Sequence, residues 1–461
     1  MRRLSAIREE HLVYRIEPVL KPYEWGSKDR LQTMFPHGRA AHVTGPLAEV
    51  WFSGHPVWPS VVDGGPAGSS TVDQLIRDDP TSMLGEFDSS RFGPVLPFLL
   101  KVISARRPLS LQVHPVSFRA REGFNRENRA GIASDSPSRA YRDRVEKNEM
   151  VVALDPFELS VGFAGMGVTR SVLARVRHPV AAAMLRCVEE ADESPGYDGV
   201  GDDDVGDDDA MAWLSHGARA RRRALGIAVT SPPRCAAGLY DALRKALAGA
   251  DDGRGAAMLR HALVAADAFP GDCSPLALLL MNAVSLDRGQ GMYVPAGTLH
   301  TYIGGTAVEI MTNSDTVLRA GLTVKPRHVD EALRVVDYEG DGGVRLLSFS
   351  GETPGLSVHG RAVAGAMSPG IEEFMLSWCS LPDSIGVRVG EGAGEESYVE
   401  LDRGRVRVVL CVSGGVRCET TAGSLLLNPG EAALAPAVER VRVFPVPNDG
   451  DCAILMASPA I

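Results

Sequence analysis

The chain has no hydrophobic run long enough to cross a bilayer: nowhere in its 461 residues do ~18 consecutive apolar positions occur. Its opening, MRRLSAIREEHLVYRIEPVL, carries charges throughout and lacks the apolar core of a secretory signal. The expected location is the cytoplasm, with no membrane partner. Excess positive charge is lacking too. A formal net charge of -10, from 48 Lys and Arg against 58 Asp and Glu, argues against a surface built for phosphodiester backbones, so nucleic acid is not an expected partner. A local basic pocket for a single phosphate is compatible with that balance. Cysteine is sparse: the seven residues (187, 235, 273, 379, 411, 418 and 452) form no C-x-x-C pair and are odd in number. Neither a disulfide framework nor a thiolate zinc centre is expected, and most of the thiols should pack as small apolar groups.

What is present is a globular composition, 44% hydrophobic and 23% charged, rich in turn formers with 49 glycines and 30 prolines. The length allows two or three domains. From Val13 to about Val161 the chain is cut into short apolar runs such as PVLPFLLKVI and LSLQVHP, a pattern that predicts mostly β structure. Between about Thr169 and Ser285 the period changes. Leu239, Leu243 and Leu247 recur at four-residue steps and AAMLRHALVAADAF follows the same rule, which predicts a helical insertion.

Within that insertion Glu189 to Ala210 holds eleven acidic residues and almost nothing apolar. Such a segment cannot bury enough surface to order itself, and a mobile loop is expected. The spacing of its aspartates does not match an EF-hand loop. Strand-like segments return at Gly291 and continue to the C-terminus, with one helical patch at HVDEALRVV. A weak repeat links the two β parts: Gly289 and Pro295 are six apart, as are Gly430 and Pro436. Counting five beyond each proline reaches His300 in one case and Val441 in the other. That offset suggests duplicated small β-barrels of which only the first keeps a metal ligand, and no histidine follows His359.

Gln112 and His114, in LQVHP, occupy alternate positions and so share one face of a strand. His300 follows a Pro-x-Gly turn in GMYVPAGTLH and would project from the start of a strand. A divalent ion held by two imidazoles and an amide would want an anionic ligand, and Glu149, in the strand-like NEMVVAL, offers one. Spacing leaves two readings open, a metal site or histidines that serve packing. His37, His42, His55, His178, His216 and His261 fall outside ligand-like pairs and are read as structural or exposed.

The segment PLSLQVHP resembles the P-L-S-I-Q-x-H-P segment of type I mannose-6-phosphate isomerases, and TLHTYIGGTAVEIMTNSDTVLRAGLTVK resembles their P-H-A-Y-L…E-x-M-A-x-S-D-N-V-x-R-A-G-L-T-P-K block. YEWGS, AEVWFSGHP, LPFLLKVISA, YRDRVEKNEMVVAL and DPFELSVGF follow the same family's order, so the likeness runs from about Tyr23 to Lys325. The resemblance implies a mainly β fold of two cupin-like jelly-roll barrels with an α-helical domain inserted. Residues 1–165 and 286–330 would form the catalytic barrel, 166–285 the helical insertion with its acidic loop 189–210, and 331–461 a C-terminal metal-free barrel.

It also implies one zinc ion per chain, held by Gln112, His114, Glu149 and His300, and interconversion of mannose 6-phosphate and fructose 6-phosphate through an enediol. Arg319 matches the family's active-site arginine, while Lys101, Ser110, Lys147 and Lys325 match polar positions of its cleft. Glu309, between apolar neighbours, is the candidate proton carrier, with a buried structural carboxylate as the competing reading. Tyr302 shares the strand face of His300 and could orient a hydroxyl; Trp25 and Glu49 would shape the cavity. The partner would be a small sugar phosphate and the protein a monomer. Two positions depart from the family pattern, Glu24 in YEWGS and Asn148 in KNE, and neither is a proposed ligand. The competing reading of the whole chain is a non-catalytic cupin that binds metal or sugar phosphate in a regulatory role.

Overall fold

In the computed structural model, residues 13–63, 70–192, 214–340, 344–382, 396–447 and 450–460 are described; most of the acidic segment lies outside them. Two antiparallel β-barrels dominate. The first is built from an eleven-stranded sheet whose central path runs through Gln290–Val294, Glu149–Ala153, His300–Thr312, Phe98–Ala105 and Glu49–Phe52. The long strand His300–Thr312 also pairs with Phe157–Phe163 and Leu111–Val113, which curls the sheet closed. The second barrel joins an eight-stranded and a five-stranded sheet around a core that includes Cys379, Val409, Cys411, Cys418 and Ile454. Cys273 is buried as well, and the seven cysteines are free thiols.

The two barrels pack sheet on sheet, which explains the uninterrupted apolar run FLLKVISA. Alternate side chains of Phe98–Ala105 point to opposite faces. Leu100 and Val102 enter the core between the barrels beside Val408, Leu434 and Leu455, while Ile103 and Lys101 face the first barrel's interior. All eight residues are therefore buried.

Each barrel also takes a strand from the other's stretch of sequence. Tyr14–Glu17 pairs with Ala432–Ala435 of the second barrel, and Leu346–Ser348 pairs with Gln290–Val294 of the first. The repeat read in the sequence is structural. Gly289 and Gly430 both have positive φ, +84° and +87°, and each precedes a strand that ends just before the repeat's proline. His300 and Val441 then open the next strands.

The segment expected to be mostly β holds helices as well, Val72–Asp78, Pro80–Leu84, Glu86–Phe92 and Ser117–Arg129 among them. The first starts with a capping box at Thr71 and Gln74, and the second with the Asp79 side chain accepting from the Ser82 amide. These short helices show few full apolar periods, so local capping rather than periodicity marks them.

The insertion is helical as its period implied, from Met166–Arg175 through Arg254–Ala268, followed by a 3-10 segment at Ser274–Leu280. Leu239, Leu243, Met258, Leu259 and Ala262 join one core that also reaches Leu111, Leu318 and Phe163 of the first barrel. His261 fastens the two together, bonding Ser160 Oγ through Nδ1 at 2.9 Å and Glu158 Oε2 through Nε2 at 3.0 Å. No helix among the described residues is long and apolar enough to cross a membrane.

Candidate active site

Two strand starts and one strand end meet at the base of the first barrel. Gln112 lies within Leu111–Val113, His114 follows that strand directly, and Glu149 and His300 open theirs. His114 Nε2 stands 3.1 Å from Glu149 Oε1, and His300 Nε2 stands 3.2 Å from Glu149 Oε2. The Gln112 carboxamide lies 3.2 Å from His300 Nε2 and accepts from the Ser110 hydroxyl at 3.0 Å. His114, Glu149 and His300 are each within 1% of full burial.

The tautomers follow from the partners. His114 Nδ1 lies 2.9 Å from the Thr316 carbonyl and His300 Nδ1 lies 2.9 Å from the Thr298 carbonyl, so both Nδ1 atoms donate and both Nε2 atoms carry lone pairs. Burial pushes His114 down to about 4, assisted by the Lys147 ammonium and only partly offset by Glu149, and the ring is neutral. Burial works against ionisation of Glu149, yet the Lys147 ammonium, with Nζ 2.9 Å from Oε1, holds its pKa well below the usual range.

Lone pairs thus point at an ionised carboxylate, and His114 Nε2 and Glu149 Oε2 are buried without a hydrogen-bond partner. Acceptors facing acceptors in a dry site are costly, and a cation is the group that would satisfy them together. Two imidazole nitrogens, a carboxylate and an amide form a donor set that suits zinc. Among the described residues this is the one cluster of three such groups whose ligand atoms lie within 4.8 Å of one another.

Above the cluster opens a cavity of about 590 Å³. Of the residues singled out in the sequence, Gln112, Glu149, Arg319, Glu309, Lys147, Lys101, Ser110, Tyr302, Lys325, Trp25 and Glu49 line its wall. His114 and His300 sit beneath. The ladder register explains the convergence: Trp51, Lys101 and Glu309 stand opposite one another across three strands, and Lys21 stands opposite Glu49, two positions from Trp51. All five therefore face one way.

Lys101 Nζ meets Glu309 Oε2 at 2.8 Å, and Glu309 Oε1 accepts from the Tyr302 hydroxyl at 2.8 Å. Burial opposes the charge on Lys101, but Glu309, Glu49 and Glu149 outweigh it and raise its pKa. Burial and then the Glu309 charge push the Tyr302 phenol well above its usual value, so it stays a donor. The other cations differ. Arg319 and Lys325 make no ion pair or side-chain hydrogen bond among the described residues. Burial lowers the pKa of both, and mutual repulsion lowers that of Lys325 further. Lys325 Nζ lies 4.2 Å from the centre of the Tyr23 ring. Lys325 follows Leu322, which has a φ of +52°, uncommon for a residue other than glycine, and which lines the same cavity.

Sequence reasoning missed Lys21, Trp51, Trp58, Arg107, Arg142 and Asp315 on this wall. Trp51 and Arg142 fall inside the motif segments AEVWFSGHP and YRDRVEKNEMVVAL, which was the available signal. Lys21 and Trp58 stand outside any motif.

A pair of jelly-roll barrels, the first closing over a buried imidazole–carboxylate cluster, defines a cupin-type protein with a metal-ligand centre. Residues 13–166 match the family model described as phosphomannose isomerase type I, catalytic domain. Mannose-6-phosphate isomerase of Escherichia coli (strain K12) is 30% identical over 419 residues, which are 90% of this chain and 93% of that protein. The chain belongs to the mannose-6-phosphate isomerase family. Mannose-6-phosphate isomerase 2 of Arabidopsis thaliana is 25% identical over 94% of this chain and 90% of its own length. A crystal structure of mannose 6-phosphate isomerase from Salmonella typhimurium, bound to its substrate fructose 6-phosphate and to zinc, aligns with a TM-score of 0.76 at 26% identity, covering 97% of this chain and all of that one.

Proposed function

We propose that this chain is a zinc-dependent aldose-ketose isomerase that interconverts mannose 6-phosphate and fructose 6-phosphate. The observation that carries the reading is the meeting of His114, Glu149 and His300, beside Gln112, under a cavity that is also lined by Arg319 and Lys325. The family membership and the zinc-bound and fructose-6-phosphate-bound relative support it.

The reaction moves the C2 proton of the aldose to C1, while the hydroxyl proton on O2 passes to O1, through an enediol(ate). It needs a proton carrier, stabilisation of the developing negative oxygen, and an anchor for the phosphate. Zinc held by Gln112, His114, Glu149 and His300 supplies Lewis acidity to the sugar oxygens. For Gln112 to present its oxygen the amide turns over, an exchange of two atoms of equal size that the Ser110 hydroxyl, donor or acceptor, accommodates. Lys147 keeps the Glu149 carboxylate ionised and in place.

Glu309 is the proton carrier of this reading. Bonded to both Lys101 and Tyr302 on the cavity wall, it belongs to a connected chain in which a proton taken at C2 can be held and returned to C1. Arg319 stabilises the oxyanion or the phosphate, and Lys325, free of a carboxylate partner, suits a phosphate dianion. Lys101, Ser110 and Tyr302 donate to sugar hydroxyls, and Trp25 and Glu49 shape the cavity. Residues 1–165 and 286–330 make the catalytic barrel, 166–285 the helical insertion and 331–461 the second barrel, with Tyr14–Glu17 and Leu346–Ser348 crossing between the barrels. The protein acts as a cytoplasmic monomer on a small sugar phosphate.

A coupled assay of the purified protein with mannose 6-phosphate, with metal analysis of the same sample, tests the reading. Turnover that tracks zinc content is expected. Stoichiometric zinc without isomerisation would instead establish a cupin that binds sugar phosphate and does not transform it.

A further inference from the structure

Cations on the cavity wall fall into two groups. Lys101 and Lys147 are each neutralised by a carboxylate within 3 Å. Lys21 is not. Its residue is only 6% exposed, yet among the described residues its ammonium meets no carboxylate and makes no hydrogen bond. It rests instead between two indoles, 4.3 Å from the centre of the Trp51 ring and 3.5 Å from that of Trp58. Trp51 is itself fixed, its Nε1 donating to Glu49 Oε2 at 2.5 Å.

The Lys21 stem is buried while its ammonium reaches the cavity, where stacking on the two indoles fixes it without using a hydrogen bond. The indoles restrict where the ammonium can go while leaving all its protons unspent. Burial lowers the pKa of Lys21; the charges of Glu49 and Asp315 pull it back up, and those of Lys101 and Lys325 lower it. Lys325 and Arg319 repel in turn. Lys21, Lys325 and Arg319 thus line one cavity, with Glu49 and Asp315 on the same wall, and among the described residues none of the three makes an ion pair or a side-chain hydrogen bond, so their donors are open to an entering dianion.

We propose that Lys21, held between Trp51 and Trp58, is a phosphate-binding residue of this cavity and completes with Lys325 and Arg319 a three-cation anion subsite. The assignment deepens the sugar-phosphate reading and rests on it for the identity of the substrate. Trp58, half exposed at 50%, lines the same cavity and covers one side of the Lys21 ammonium.

Because the two indoles flank the ammonium, inorganic phosphate should change tryptophan fluorescence when it draws Lys21 away from them, which gives a readout independent of turnover. The zinc-loaded protein is titrated with phosphate, and the mannose 6-phosphate kinetics are measured in parallel. Lys21→Met should weaken phosphate affinity by on the order of ten- to a hundred-fold, the loss expected for one charge-assisted hydrogen bond. It should raise KM for mannose 6-phosphate by a similar factor with kcat nearly unchanged. Lys21→Arg, which keeps charge and stacking, should stay near wild type and guards against a merely structural loss. Unchanged phosphate affinity and KM in Lys21→Met would overturn the assignment, as would equal losses in Lys21→Arg. If the wild type binds phosphate through Lys21 but isomerises nothing, the anion subsite stands and the isomerase reading fails.

Discussion

Arg319 stands directly across the antiparallel ladder from Gln112, whose cross-strand partner on its other side is His300. One row of the barrel therefore carries two of the proposed metal ligands and the Arg319 guanidinium, at neighbouring strand spacings of about 4.8 Å. In the proposed reaction, charge stabilisation and metal holding fall to different side chains of the same rung.

That arrangement predicts separable defects. Arg319→Ala should leave zinc stoichiometric while lowering turnover on the order of 100-fold or more, the loss seen when a preorganised donor is removed from a dry site. His300→Ala should lose metal and activity together. Metal analysis and kinetics on the same two preparations check this, and near-normal turnover in Arg319→Ala would remove its assigned role.

Lys101 and Glu309 form an ion pair in which both side chains are more than nine-tenths buried. Breaking such a pair from one side strands a charge, at about 3–5 kcal/mol. Lys101→Met should therefore lower stability in denaturant by about that amount, and Lys101→Met with Glu309→Gln should recover much of it. If the single and double variants unfold at the same denaturant concentration, the pair is not what holds this part of the wall.

His55 packs behind the wall, its Nε2 3.3 Å from Asp315 Oδ2. Burial lowers its pKa below the ordinary 6.5, with Asp315 pulling the other way. The folded state thus prefers the neutral ring. Its contribution to stability is complete above 6.5 and is lost as pH falls toward the folded value. Urea midpoints measured at several pH values below about 6.5 should fall less steeply for His55→Gln than for wild type. Parallel curves would show that protonation of His55 is not part of the acid sensitivity.

Much of this architecture was legible because its signals are local. Gln112 and His114 reach the same cluster from the end of one strand, and of the leucine steps Leu239 and Leu243 are buried on one helix face with Leu247 half-buried beside them. Gly289 and Gly430 betray the duplication because a positive φ favours glycine at both turns. Pairing of Tyr14–Glu17 with Ala432–Ala435 left no such trace, since partners more than four hundred residues apart share no local pattern. Lys21 escaped for a related reason. A lone lysine before a proline looks like a solvated residue, and only its register opposite Glu49 turns it into the cavity.

The strongest test of the centre itself concerns the metal-free protein. With both Nδ1 atoms donating to carbonyls, the Nε2 lone pairs of His114 and His300 face the two oxygens of Glu149 at 3.1 and 3.2 Å, and among the described residues Lys147 is the one cation bonded to that carboxylate. Removing zinc with a chelator should therefore lower the melting temperature well beyond the effect of losing a surface ion, and the loss should be restored by zinc in a concentration-dependent way. Saturation at about 1,000 times Kd corresponds to about 4 kcal/mol of added stability. Glu149→Gln separates the two contributions. Its amide can donate to one Nε2 lone pair, but the loss of charge strands the buried Lys147 ammonium, so the metal-free variant should melt no higher than the metal-free wild type. The same substitution removes the anionic ligand, so added zinc should raise its melting temperature little. A Glu149→Gln protein that gained as much from zinc as the wild type would mean that the ion is held elsewhere.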